Sequence, residues 1–91
     1  MKTIDLDLRC IQTVRALHIY LQYSLSLPDY YGRNLDALYD CLTERREETC
    51  LTLRVDEAPS AEMAAFLPGL RRMLEDAQRA NPALHVNEVE A

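Results

Sequence analysis

The spacing of apolar residues along this chain switches between two periods, one of two residues and one of about 3.6. From Lys2 to Leu8, Ile4, Leu6 and Leu8 alternate with Thr3, Asp5 and Asp7, which predicts a strand with one covered face. Thr13 is placed to cap a helix. In that helix Val14, Leu17, Leu21 and Leu25 form one stripe, broadened by Ala16, Ile19 and Tyr20. His18 lies beside the stripe with no second histidine, cysteine or carboxylate at ligand spacing. It reads as a packed or half-exposed residue rather than a catalytic one. Pro28 ends the helix and stiffens the approach to Tyr30 and Tyr31. In the next helix Leu35, Leu38 and Leu42 recur at i, i+3 and i+7 and define a buried face. Asp36, Asp40 and Thr43 recur at i, i+4 and i+7 and define a polar one.

Thr49 to Val55 is β-branched and apolar and predicts a second strand, with Cys50 in or beside it as a small hydrophobe. Asp56 to Ser60 is a loop ending in an N-cap serine, with Glu62 in the first turn of the helix it starts. Pro68-Gly69 interrupts the pattern and predicts a short helix and then a longer one. Leu70, Met73, Leu74 and Ala77 make the apolar face of the longer piece, and Arg71, Glu75 and Arg79 form successive i, i+4 pairs. Asn81-Pro82 stops the helix. Leu84 to Val89 alternates as a final strand, with His85 on its solvent side. This order predicts an α/β fold, a small three-stranded parallel sheet layered with three to four helices. Right-handed crossovers should cover one sheet face heavily. Residues 1–91 read as a single domain.

The stretch from Leu27 to Thr43, LPDYYGRNLDALYDCLT, concentrates the candidate chemistry. Gly32 is expected to supply φ > 0 in the turn, or room for another backbone to approach. Asn34 is placed as the N-cap of the short helix. Asp36 lies in its first turn, where the helix dipole favours a carboxylate by ~0.3–1 kcal/mol. Asp40 lies a turn further on, where that structural reason has faded. A helix this short has little stability of its own in water and depends on tertiary packing.

Charge narrows the partner. Ten basic residues against fifteen acidic give a net charge of −5. Nucleic acid is therefore a poor partner, because affinity for phosphate backbones comes from lysine and arginine. A basic protein is the complementary one. No signal peptide opens the chain and no apolar run reaches the ~20 residues of a membrane span, so no membrane partner is expected. Three cysteines, Cys10, Cys41 and Cys50, lack CxxC spacing, which favours reduced thiols in a cytoplasmic protein over a disulfide or metal site.

The Leu27–Thr43 stretch closely resembles the signature of the barstar family, small intracellular inhibitors of secreted bacterial ribonucleases. Leu-Pro-acid-Tyr-Tyr-Gly-x-Asn-Leu-Asp-Ala-Leu-aromatic-Asp-Cys-Leu-Thr is met in one register, with Arg33 at the variable place. The resemblance implies a barstar-like fold and an inhibitory surface on the short helix. Its partner would be a basic ribonuclease, bound one to one. Tyr30, Gly32, Asn34, Asp36, Tyr39, Asp40 and Thr43 are the matching partner-binding positions, with Asp40 central, and Asp76 adds an acid from the third helix. Two departures stand out. Glu44 to Glu48 (ERREE), a mixed charge run, lacks the tryptophan and proline of the best-known family pattern, and Ala80 stands where a second acid is expected.

Enzyme chemistry finds no foothold. Two distant histidines lack partners, no GxGxxG, GxxxxGK[ST], HExxH or GxSxG occurs, and no cofactor or metal is implied. An acyl carrier would need a serine where Asn34-Leu35-Asp36-Ala37-Leu38 has none. The expected function is ribonuclease inhibition in the cytoplasm. The alternative is a regulatory module of the same fold that uses the acidic helix against a non-nuclease protein.

Overall fold

The three β-patterned stretches form one parallel sheet in the order β1-β2-β3 in the computed structural model, which describes residues 1–90. The elements are β1 (Lys2–Asp7), α1 (Val14–Ser24), α2 (Leu35–Thr43), β2 (Thr49–Val55), α3 (Ala61–Ala80) and β3 (Leu84–Glu90). Strand register aligns Ile4 with Leu51 and Val86, and Leu6 with Leu53 and Glu88. On that face Leu6, Leu51, Leu53 and Leu84 are buried beneath the helices. The opposite face carries Thr3, Asp5, Cys50, Thr52, Arg54, His85 and Asn87, none of them buried. Parallel strands covered on both faces read as continuous apolar runs; the alternation here marks a sheet covered on one side only. Leucines from both layers close the centre so tightly that about 10 Å³ remains between them.

Helix starts obey local chemistry. Thr13, Asn34 and Ser60 each accept a hydrogen bond from the backbone N–H three residues on. Glu62 lies in the first turn of α3, as expected, and also accepts from the backbone N–H of Val14 at the start of α1. Ser60 Oγ donates to the Gln12 carbonyl at 2.6 Å, so the two helix starts are stitched together.

Pro68-Gly69 does not split α3, which is one helix of 20 residues with Pro68 inside it. Met63 and Leu67 before the proline and Leu70, Met73, Leu74 and Ala77 after it are all buried, a single stripe packed against the core. Pro68 and Gly69 lie on the exposed side, where water can satisfy the carbonyl that proline leaves unpaired. Packing on both sides of the interruption outweighs a local cost of ~3 kcal/mol. Arg71 also departs from expectation. It grips Glu88 of β3 with Nε and Nη2, both at 2.9 Å, rather than Glu75 on its own helix.

Candidate functional site: the groove beside α2

A helix of nine residues needs anchors, and α2 has one at each end. At its start Asn34 Oδ1 accepts from Ala37 N at 2.7 Å, while Asn34 Nδ2 donates to the Gly32 carbonyl at 3.2 Å. Past its end, buried Asn81 reaches across from the end of α3, and its Nδ2 donates to the carbonyls of Leu42 and Arg45, both at 2.9 Å. Leu38 and Leu42 sink into the core between these anchors.

The segment before α2 is as firmly held. Helix α1 closes before Pro28, because Ser26 adopts a left-handed φ of 53° and Leu27 N donates back to the Gln22 carbonyl at 3.0 Å. That is the usual backbone closure of a helix end, with serine where glycine is favoured. Gln22 Nε2 donates to the Pro28 carbonyl at 3.1 Å, and Tyr31 N donates to the same carbonyl at 2.9 Å. Tyr31 turns inward, and its hydroxyl meets His18 Nδ1 at 2.6 Å. His18 is 2% exposed, with Phe66 edge-on to its ring at a centroid distance of 6.0 Å. Burial, then the charge of Arg33, lowers the proton affinity of this imidazole. Burial, with a smaller contribution from Cys41, pushes the Tyr31 hydroxyl up to about 12.

Gly32 does not take the positive φ expected of it. Arg33 does, at 54°, a left-handed conformation that costs an L-residue roughly 1–2 kcal/mol. Space at Gly32 is tight. A Cβ there would lie 3.2 Å from Asn34 Nδ2 and 3.3 Å from the Ala37 Cβ, against the cap that starts α2.

These anchors shape an open groove lined by Leu25 to Pro28, by Tyr30, Tyr31, Gly32 and Ala37, and by Asp40, Cys41, Glu44 and Arg45. Tyr30 stands 88% exposed beside it. Of the eight expected partner-binding residues, Tyr30, Gly32 and Asp40 line the groove. Asp36 is exposed on the same helix, and neither Asp36 nor Asp40 has an ion-pair partner among the described residues. Asn34 is committed to its cap. Thr43 Oγ1 donates to the Tyr39 carbonyl at 2.8 Å, and the Tyr39 ring packs partly against the core. Asp76 lies on α3, outside the groove and bound to Arg79 at 3.1 Å.

Arg45 is one groove residue that sequence reasoning missed. The ERREE run reads as a solvated connection, yet Arg45 Nη1 donates to the Leu25 carbonyl at 3.2 Å and Nε to Thr49 Oγ1 at 3.4 Å. A charge run carries no sign of which member folds back. Cys41 also lines the groove, and burial, then the charges of Glu44 and Asp40, raises its thiol and keeps it protonated. Among the described residues no three histidine, cysteine or acidic side chains gather as a metal site, and no helix is long and apolar enough to cross a membrane.

The arrangement presents unpaired carboxylates on a clamped helix, with an exposed aromatic ring next to them. It can accept charge-assisted hydrogen bonds from a cluster of cations. The family model described as Barstar (barnase inhibitor) matches residues 1–88. A protein of Bacillus subtilis (strain 168) named "Putative ribonuclease inhibitor YrdF" is 54% identical over 43 residues, which is 47% of this chain. That match likewise spans only 47% of the relative's own length.

Proposed function

The chain belongs to the Barstar (barnase inhibitor) family, and on that premise we propose that it inhibits a basic, secreted bacterial ribonuclease from within the cytoplasm of the producing cell. It acts as one barstar-like domain over residues 1–91 and binds one to one, with no catalytic residue, cofactor, nucleic acid or membrane of its own. The observation that carries this reading is the pair of exposed, unpaired carboxylates, Asp36 and Asp40, on a helix clamped at both ends.

A ribonuclease must gather arginine, lysine and histidine to hold RNA phosphates, and carboxylates placed in the same positions satisfy those cations. Asp40 takes the place of a phosphate, and Asp36 pairs with a cation at the rim. Tyr30 and Tyr39 supply aromatic contact area. Gly32 lets the enzyme's backbone approach the loop, while Asn34 and Thr43 hold α2 in shape beneath it. Asp76 acts from the edge, its charge shared with Arg79. The helix arrives already folded, so little ordering entropy is lost on binding.

The test is an RNA-cleavage titration with barnase and a panel of barnase-like ribonucleases, including the ribonuclease encoded nearest to this chain. Competitive inhibition at one-to-one stoichiometry is expected, with association slowed by salt far more than dissociation is changed. No inhibition of any member at micromolar protein would leave the family and fold standing and move the function to a regulatory binding module on the same helix.

A further inference from the structure

A second groove shares a wall with the acidic one. Ile19, Gln22 and Tyr23 of α1 line it together with Leu27, Asp29 and Arg33. Leu27 also lines the groove that holds Asp40, so the two surfaces are continuous. Ile19 is 43% exposed and Tyr23 88%. With Tyr30 they make three of the five exposed large hydrophobics among the described residues, gathered on two adjoining grooves. Arg33 and Asp29 have no ion-pair partner among the described residues.

We propose that this groove is the second half of the inhibitory surface. It seats an apolar side chain of the ribonuclease, next to a carboxylate of the same enzyme that pairs with Arg33. The inference rests on the reading of the acidic groove as the ribonuclease site, and it adds what selects among ribonucleases. Stable protein pairs cover about 800 Å² on each partner, more than the exposed side of one short helix offers. Apolar side chains sharing a groove with an unpaired cation and an unpaired anion have the make-up of an interface half. An isolated arginine facing a basic enzyme is repelled unless it meets an acid. Where it does, the guanidinium forks onto that carboxylate, and an enzyme with lysine or arginine at that place is rejected.

The experiment measures association and dissociation of the full-length protein with the same panel of barnase-like ribonucleases, barnase included. The variants are I19S/Y23S, Arg33→Glu and Arg33→Gln, with Asp40→Ala as the reference. All the changed side chains are exposed, and melting curves confirm that each variant is folded. The double variant is expected to dissociate about 10-fold faster or more, the change that marks an energetically important contact. Arg33→Glu is expected to raise the Kd for the best-bound enzyme at least about 10-fold, with Arg33→Gln in between. Dissociation of I19S/Y23S within twofold of wild type, or tighter binding by Arg33→Glu, overturns the proposal. If Asp40→Ala still weakens binding in that case, the acidic groove stands as the ribonuclease site. If no enzyme of the panel binds the wild-type protein at micromolar concentration, or if Asp40→Ala is silent, the reading of the acidic groove falls and this inference falls with it.

Discussion

Helices α2 and α3 both bury a leucine-rich stripe and both turn carboxylates to solvent, yet their acids differ in kind. On α3, Asp76 lies 3.1 Å and Glu75 4.0 Å from Arg79. On α2, Asp36 and Asp40 have no cation among the described residues. A paired surface acid already shares its charge with a neighbour, and a partner's cation competes with that contact. An unpaired acid on a rigid helix keeps its full charge for an incoming cation. Counting acidic residues alone therefore does not tell the two helices apart, whereas pairing does.

The largest effect expected on α2 is structural. Leu38 is 1% exposed, so Leu38→Ala should cost about 2–5 kcal/mol of stability in a denaturant titration. Asp40→Ala separates the two roles of the helix. Its melting temperature should stay within a few degrees of wild type, while binding to the inhibited ribonuclease weakens by at least ~2 kcal/mol, about 30-fold in Kd. Asp76→Ala should lose clearly less affinity than Asp36→Ala in the same assay. Equal losses would break the distinction between paired and unpaired acids.

Acid should loosen the surroundings of α2 before α3. The His18 ring has its proton affinity lowered in the fold, from an ordinary value of 6.5, first by burial and then by Arg33. Below that ordinary value the unfolded chain takes up a proton that the folded chain resists. Stability is then complete above about 6.5 and declines as pH falls toward the lowered folded value. The protection factor of the Tyr31 amide, its exchange rate corrected for the intrinsic base-catalysed dependence on pH, should fall between pH 7 and pH 5 more than those of Leu74 and Ala77 in α3, since Tyr31 leans on His18. His18→Asn, which keeps a polar atom near Nδ1, should flatten that pH response. The smallest expected effect is that of Arg79→Ala. Its pairs are well exposed, so stability should change by only a few tenths of a kcal/mol, while the freed Asp76 gains a little affinity for the ribonuclease.

What the sequence by itself determined lies within a few residues of each position. Strand alternation, the leucine stripes and the caps at Thr13, Asn34 and Ser60 were all legible, because each rests on backbone period or on a bond spanning three residues. Three residues of the Leu27–Thr43 signature, Tyr30, Gly32 and Asp40, line one groove. Only the tertiary structure decided what depends on distant partners. Pro68 sits in an unbroken helix because buried residues on both sides of it pack against one core. The α2 cap crowds Gly32, and the positive φ falls on Arg33 instead. Asn81, read as a helix stop, also holds the far end of α2, and Arg71 chose Glu88 over Glu75. Those choices leave particular carboxylates unpaired. No local pattern records them, since each contact joins residues that only the packed sheet and helices bring together.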